Sequence, residues 1–258
     1  MEIHMEIYIL LLLLLVLAAG MFVGSVLGFA DALIFISLSA LFFDVRISIV
    51  LIGFWSTGLS LMNSIKYRGF IDKPFFKKFI LPGVIGVIIG SLLIVIAPIR
   101  WLELIIGLFI MCYIVIKIRE LKKEKEIQRK TGLRKISGSW FYSGAFSYGF
   151  FGGLIGASGP FNVVLLERTG HERENFIANF ALCSVSLSPI KLGIYIGAGL
   201  FPLNYILLFL LGLAVIFIVT KLGHQVTPRI PKDKFMMAVL FILLIIGIRM
   251  ILSAIFFY

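Results

Sequence analysis

The sequence predicts an all-α, polytopic membrane protein built from two repeats of opposite orientation. Three observations carry this. The chain is apolar throughout, with 60% hydrophobic residues and a mean hydropathy of +1.09 over its 258 residues, beyond what a soluble domain of that length shows. Its 24 Lys and Arg residues gather in the gaps between apolar stretches. The two halves also resemble each other at a fixed offset of 128 residues.

A spanning helix needs about 20 apolar residues. The first apolar stretch, 7–43, is too long for one span and carries glycines near its middle. Its leading flank holds Glu2 and Glu6 and no Lys or Arg, unlike the basic start of a secretory leader, so it reads as retained structure. Clean spans follow at 47–65, 79–98 and 101–117. The segment IRELKKEKEIQRKTGLRKISG, 118–138, alternates charges and suits a solvated linker. A second interrupted stretch, 139–166, opens the second half, and clean spans return at 175–198, 203–220 and 235–257. The expected units are a first membrane repeat over 1–117, a basic cytoplasmic linker over 118–138 and a second membrane repeat over 139–258.

The repeat is read from Gly24/Gly152, Gly28/Gly156, Ser56/Ser184, Ser60/Ser188, Tyr67/Tyr195, Gly69/Gly197 and Pro74/Pro202, all in one register. Its direction comes from charge, because cytoplasmic loops carry the Lys/Arg excess. If each interrupted stretch crosses once, the inside loops hold 14 basic residues and the outside loops 8. If each folds back as a hairpin, the split becomes 20 to 2. Hairpins therefore fit better. Each half is then one Gly-rich hairpin, re-entrant or broken, plus three transmembrane helices. An odd number of crossings per half makes the halves inverted copies, the architecture of many secondary transporters. Both termini lie outside, and the loops 66–78, 117–135, 167–174 and 221–234 lie inside. Two full crossings in place of each hairpin fit the charges equally well, and a parallel arrangement with kinked single spans is the remaining alternative.

The hairpin tips carry the chemistry. One contains Gly20, Gly24, Gly28 and Asp31. The other reads GFFGGLIGASGPFN over 149–162. Backbone bent inside a bilayer must be buried in protein or line a wet cavity. The run from Gly156 to Pro160 cannot continue as a helix with ordinary hydrogen bonds. Ser158, followed by Gly159 and Pro160, looks like a helix start, with Ser as cap and Pro in the first turn. Asp31 takes the same place in the first half. Helix starts present free N–H groups and about half a positive charge, which suits an anion.

These Gly-rich segments, above all GFFGGLIGASGP at 149–160, together with YRGFID at 67–72, resemble the TauE/SafE family of sulfite and organosulfonate exporters. The resemblance covers nearly the whole chain. It implies a multi-pass permease of the cytoplasmic (inner) membrane that moves small anions, sulfonate or sulfite first and carboxylate second. The first tip departs from the family's usual glycines followed by proline: here it reads GFADALIFIS, with Asp31 intruding.

Ionisable and polar residues within apolar segments complete the expected site. Asp31 is either a proton-coupling carboxylate or a helix cap. Lys191 and Arg249 each either reach the cavity as a counter-charge or snorkel to the outer interface. Asn63, Asn162 and Asn179 are hydrogen-bond donors for an oxyanion or packing glue. The substrate-binding set is thus Gly28, Asp31, Asn63, Gly156, Ser158, Gly159, Asn162, Asn179 and Lys191, with Asp31 coupling protons. Spacings such as Gly86/Gly90 read as plain helix packing, and Cys112 and Cys183 as small buried hydrophobes. No cofactor or metal is called for. The net charge of +11 is loop charge, which speaks for topology and anionic lipid rather than nucleic acid. A small anion and the bilayer are the expected partners, and a homodimer is compatible with the pattern. The alternatives are a passive anion channel and an intramembrane serine protease, since Gly156-Ala157-Ser158-Gly159 fits a GxSG pattern. The protease lacks a histidine at membrane depth, because His4, His171 and His224 all fall at predicted membrane edges. The expected protein is not an enzyme.

Overall fold

The structure is a computed structural model that describes residues 2–27, 31–127, 138–171, 173–201, 206–226 and 232–256. Among these residues every regular element is helical. The first half holds α1 (Glu2–Leu27), α2 (Asp31–Ser39), α3 (Val45–Lys66), a 3-10 turn (Arg68–Phe70), α4 (Lys73–Ile96) and α5 (Ile99–Ile127). The second holds α6 (Gly138–Leu154), α7 (Gly159–Arg168), α8 (Arg173–Gly197), α9 (Ile206–Val226) and α10 (Lys232–Phe256). The order of long and short helices is the same in both halves.

Local chemistry sets the boundaries. Asp44 caps α3 by accepting from the Arg46 and Ile47 amides at 2.8 and 3.0 Å. Asp72 caps α4 through the Phe75 amide at 3.1 Å, with Pro74 in the first turn. Gly156 at φ +68° ends the first limb of the second hairpin, and Gly170 and Gly199 at φ +82° and +71° terminate α7 and α8.

Both interrupted stretches fold back on themselves. A Cβ on Gly24 would lie 2.7 Å from the Asp31 Cβ, and one on Gly20 would lie 2.9 Å from the Asp31 carbonyl and 3.4 Å from the Phe35 amide. Position decreases along α1 as it increases along α2, so the limbs are antiparallel. The same holds for α6 and α7, where Gly152 faces Ser158 and Gly144 faces Leu165 at 2.9 and 2.8 Å. The returning limbs, of 9 and 10 residues, are about 14–15 Å long, half of a hydrocarbon core of about 30 Å.

The hairpins enter the bundle from opposite ends of α4. The base of the second packs on the start of α4, with Phe141 and His171 against Phe75. The base of the first lies near its end, where Arg46 donates to the Ala97 carbonyl. The principal pairings, α1 with α9, α4 with α6, α3 with α8 and α5 with α10, are unchanged when the two halves are exchanged.

Among the described residues, six helices are long and apolar enough to cross a membrane: Tyr8–Ser25, Val45–Lys66, Lys73–Ile96, Ile99–Arg119, Glu174–Gly197 and Met236–Phe256. Five match expected clean spans. The expected span 203–220 appears as α9, with a shorter apolar stretch over Ile206–Leu222, and the first limb of the first hairpin is itself of spanning length. Large apolar side chains such as Leu92, Ile96, Phe241 and Phe256 stand outward, the surface that lipid covers. Cys183 is buried as expected. Cys112 is exposed instead, because in its turn of α5 it is Ile110 and Met111 that meet Gly247 of α10.

Candidate functional site

The two tips meet at one place. A Cβ on Gly156 would touch Ile36 of α2 at 3.5 Å and Ile49 and Ile52 of α3 at 3.4 Å. Beside this contact α3 and α8 cross, with Ser60 Oγ donating to Ser184 Oγ at 2.9 Å. The tips and the crossing enclose a cavity of about 220 Å³, room for a small anion.

Six of the nine sequence-predicted residues line this cavity: Asp31, Asn63, Gly156, Ser158, Gly159 and Lys191. Asp31 opens α2, and its carboxylate accepts from its own amide and from that of Ala32. Lys191 comes from the far half, lies over Gly53 of α3 and interacts electrostatically with Asp31. It does not snorkel. The lysine stem lies within contact distance of α3 at Gly53, with Lys191 lining the cavity. Ser158 precedes α7 but makes no capping bond, because its backbone at φ −107°, ψ 0° turns the hydroxyl away. That hydroxyl bonds Tyr148 instead.

Of the remaining three, two lie elsewhere. Gly28 is outside the described residues. Asn162 is fully buried beside the Cys183 thiol and does not face the cavity. Asn179 pins a loop. Its oxygen accepts from the Asp72 amide at 2.8 Å, and its nitrogen donates to the Phe70 and Asn175 carbonyls at 3.2 and 2.7 Å. Asp72 in turn pairs with His171 Nε2 at 3.2 Å, while His171 Nδ1 meets Thr169 Oγ1 at 2.9 Å. Asn179 therefore ties the α3–α4 loop to α8 at the base of the second hairpin. Asn179→Ala leaves polar backbone groups without partners, at about 1–3 kcal/mol. The expected result is a clear drop in thermal stability with wild-type substrate affinity in the folded fraction. A large loss of affinity at unchanged stability would return Asn179 to the binding site.

Sequence reasoning missed the hydroxyls. Ser56, Ser60, Ser184 and Ser188 all line the cavity, as do Tyr148 and Thr220. Tyr148 bonds Ser184 as well as Ser158, and so links α6 and α8 to the start of α7. Ser56 Oγ and Thr220 Oγ1 are shielded and without a partner among the described residues, so they are placed to donate to a bound oxyanion. The serines were visible as repeat matches, and their four-residue spacing puts each pair on one helix face. Nothing in the sequence marked Tyr148 or Thr220. Tyr195, another repeat match, is fully buried and donates to the Gly153 carbonyl, anchoring the second tip.

Arg249, by contrast, is exposed at the base of the first hairpin, as expected of a snorkelling residue. It donates to the Ala40 carbonyl at 2.9 Å just beyond the end of α2. It shares a second polar cavity with Asp44, Ser253 and the buried Glu103. The carbonyls left open at the end of α2 attract a cation, which explains this contact.

With the fold and cavity in view, the comparison with known families is decisive. The sulfite exporter TauE/SafE family matches residues 12–250. The chain belongs to the TauE/SafE family. No curated protein and no solved structure matches it. TauE/SafE proteins are membrane transporters and not enzymes, so this chain is a multi-pass membrane transporter of a small, sulfur-containing anion. The GxSG resemblance of 156–159 is fortuitous. His171 lies beyond the far end of α7, some 15 Å of helix from Ser158, and is held by Asp72 and Thr169.

Proposed function

We propose that this protein is a secondary transporter that moves sulfite or a small organosulfonate across the inner membrane by alternating access. A carboxylate is the second choice. The observation that carries the reading is the shared cavity, to which both Gly-rich tips contribute a helix start and to which Lys191 brings a cation. The anion sits against the Gly159 end of α7. Ser158, Asn63 and the serine hydroxyls surround it, and Lys191 balances its charge. Asp31 couples transport to protons. The two halves work as inverted repeats, 1–117 and 139–258, joined by the linker 118–138. Support comes from the exchangeable helix pairing and from hairpins based at opposite ends of α4. One half rocking against the other about the tips alternates access.

The test is counterflow in proteoliposomes with sulfite, methanesulfonate and acetate. Gly159→Leu is expected to abolish counterflow, with the loss of affinity exceeding tenfold, in a protein that still inserts and elutes as a single peak. Its side chain would fill the space where the ligand touches the backbone. Wild-type affinity in Gly159→Leu would move the site away from α7. Flux without counterflow would mark a passive channel instead.

Topology has its own check. A cysteine at 125 and a cysteine at 171, each introduced into a chain lacking Cys112 and Cys183, are both expected to be protected from an impermeant maleimide added outside. Permeabilisation should expose 125 readily and 171 only slowly, because His171 is 8% exposed. Outside labelling at 171 with protection at 125 would overturn the inverted arrangement.

A further inference from the structure

The two helix starts at the cavity are related by the repeat but are not chemically equal. At the 128-residue offset, Asp31 corresponds to Gly159, the first residues of α2 and α7, and Lys191 corresponds to Asn63. All four line the same cavity. One start therefore carries a carboxylate with a lysine opposite, and its counterpart carries a bare glycine with a neutral amide. The Asp31 carboxylate already accepts the Asp31 and Ala32 amides, and the charge it faces is the Lys191 ammonium. A carboxylate bound by helix-start amides and an ammonium is the contact set a free oxyanion would make there. Gly24 holds it in place: the limb carrying Asp31 packs so close that a Cβ on Gly24 would be 2.7 Å from the Asp31 Cβ.

We infer that the Asp31 side chain is a tethered carboxyl group that occupies one of two symmetry-related oxyanion subsites, leaving a single exchangeable subsite at the Gly159 end. This rests on the anion-transport reading above and deepens it. Two equal subsites would take two anions. With one filled by a side chain, the protein carries one anion per cycle. The filled subsite remains latent. Its amides and Lys191 are intact and would accept a free oxyanion once the side chain is removed.

The experiment is equilibrium dialysis of the full chain in lipid nanodiscs against radiolabelled sulfite and, separately, methanesulfonate. The wild type is expected to bind one anion per chain. Asp31→Gly, which places the residue of the sister subsite at α2, is expected to bind two. Asp31→Asn keeps a side-chain oxygen on the α2 amides and is expected to bind one. Each variant is first shown to be monodisperse. One anion in both the wild type and a folded Asp31→Gly would overturn the tethered-carboxyl role and leave the transport reading standing. Two anions in the wild type would overturn it as well. No binding of either anion by the wild type would overturn the transport reading and this inference with it.

Discussion

Replacing Gly90 by leucine is expected to remove the protein from the folded fraction of solubilised membranes. The α4–α6 contact is made backbone to backbone. A Cβ on Gly90 would lie 2.1 Å from the Phe150 carbonyl, and one on Gly86 would lie 2.2 Å from that of Phe146. From the other side, a Cβ on Gly149 would lie 2.1 Å from the Gly83 carbonyl, and one on Gly153 would lie 2.6 Å from Ser91 Oγ. None of these obstacles except Ser91 Oγ is a side chain that can rotate away. In lipid, helices associate through such close packing, since burial of apolar surface from water is not available as a drive. Separating α4 from α6 would also pull the second tip away from the cavity, because α6 carries it. Overpacking costs about 1–3 kcal/mol in ordinary cores, and this site lies at or above the top of that range. Gly193 on α8 is the control. Nothing lies within 4 Å of a Cβ there, so Gly193→Leu should elute like the wild type. Size-exclusion profiles of fluorescent fusions compare the two. A monodisperse Gly90→Leu peak of wild-type height would show that α4 and α6 can separate without loss of the fold.

That contact also shows what was legible in the sequence. The four-residue spacing of Gly86 and Gly90 reads as helix packing, and it is helix packing. The fold-back of each interrupted stretch was legible because the charge split, 20 to 2 against 14 to 8, favoured a chain that returns to the side it left. The helix start at Gly159 followed from Gly and Pro chemistry alone. What stayed hidden depends on which way a side chain turns from its helix. Asn63, Asn162 and Asn179 are alike in sequence, yet one faces the cavity, one is buried beside a thiol and one holds a loop. Lys191 and Arg249 resemble residues that snorkel. Lys191 turns inward because the Asp31 carboxylate waits there, whereas Arg249 stays exposed and reaches the open Ala40 carbonyl at the hairpin base. Such partners lie in other parts of the chain, so a reading of one helix at a time cannot find them. The cavity serines fall between these cases. The repeat exposed them, but only the crossing of α3 and α8 gave them something to face.

Asp31→Asn is expected to keep anion exchange and to lose the response of transport to a pH gradient. Asp31 sits where a helix start would otherwise be free for an anion. The charged or titratable groups that face it are Lys191 from α8 and Tyr148 from α6. With Asp31 ionised, the Lys191 charge is already balanced, and an incoming anion meets a negative neighbour. With Asp31 protonated, the repulsion is gone and Lys191 is free to balance the anion. Protonation therefore favours anion binding, and by reciprocity anion binding favours protonation. The sign follows: acidifying the side on which the anion binds strengthens binding there, and net flux runs down the combined gradient. One pH unit supplies about 1.4 kcal/mol per proton, a factor of about ten in the accumulation ratio. Asparagine keeps an oxygen on the α2 amides but offers no titrating group, so the tenfold accumulation should collapse to none while exchange at equal pH persists. The measurement is methanesulfonate uptake into liposomes with and without an imposed gradient of about one unit, wild type against Asp31→Asn. An unchanged gradient response in the variant would leave Asp31 as a helix cap and assign the driving force to another ion or to the anion gradient alone.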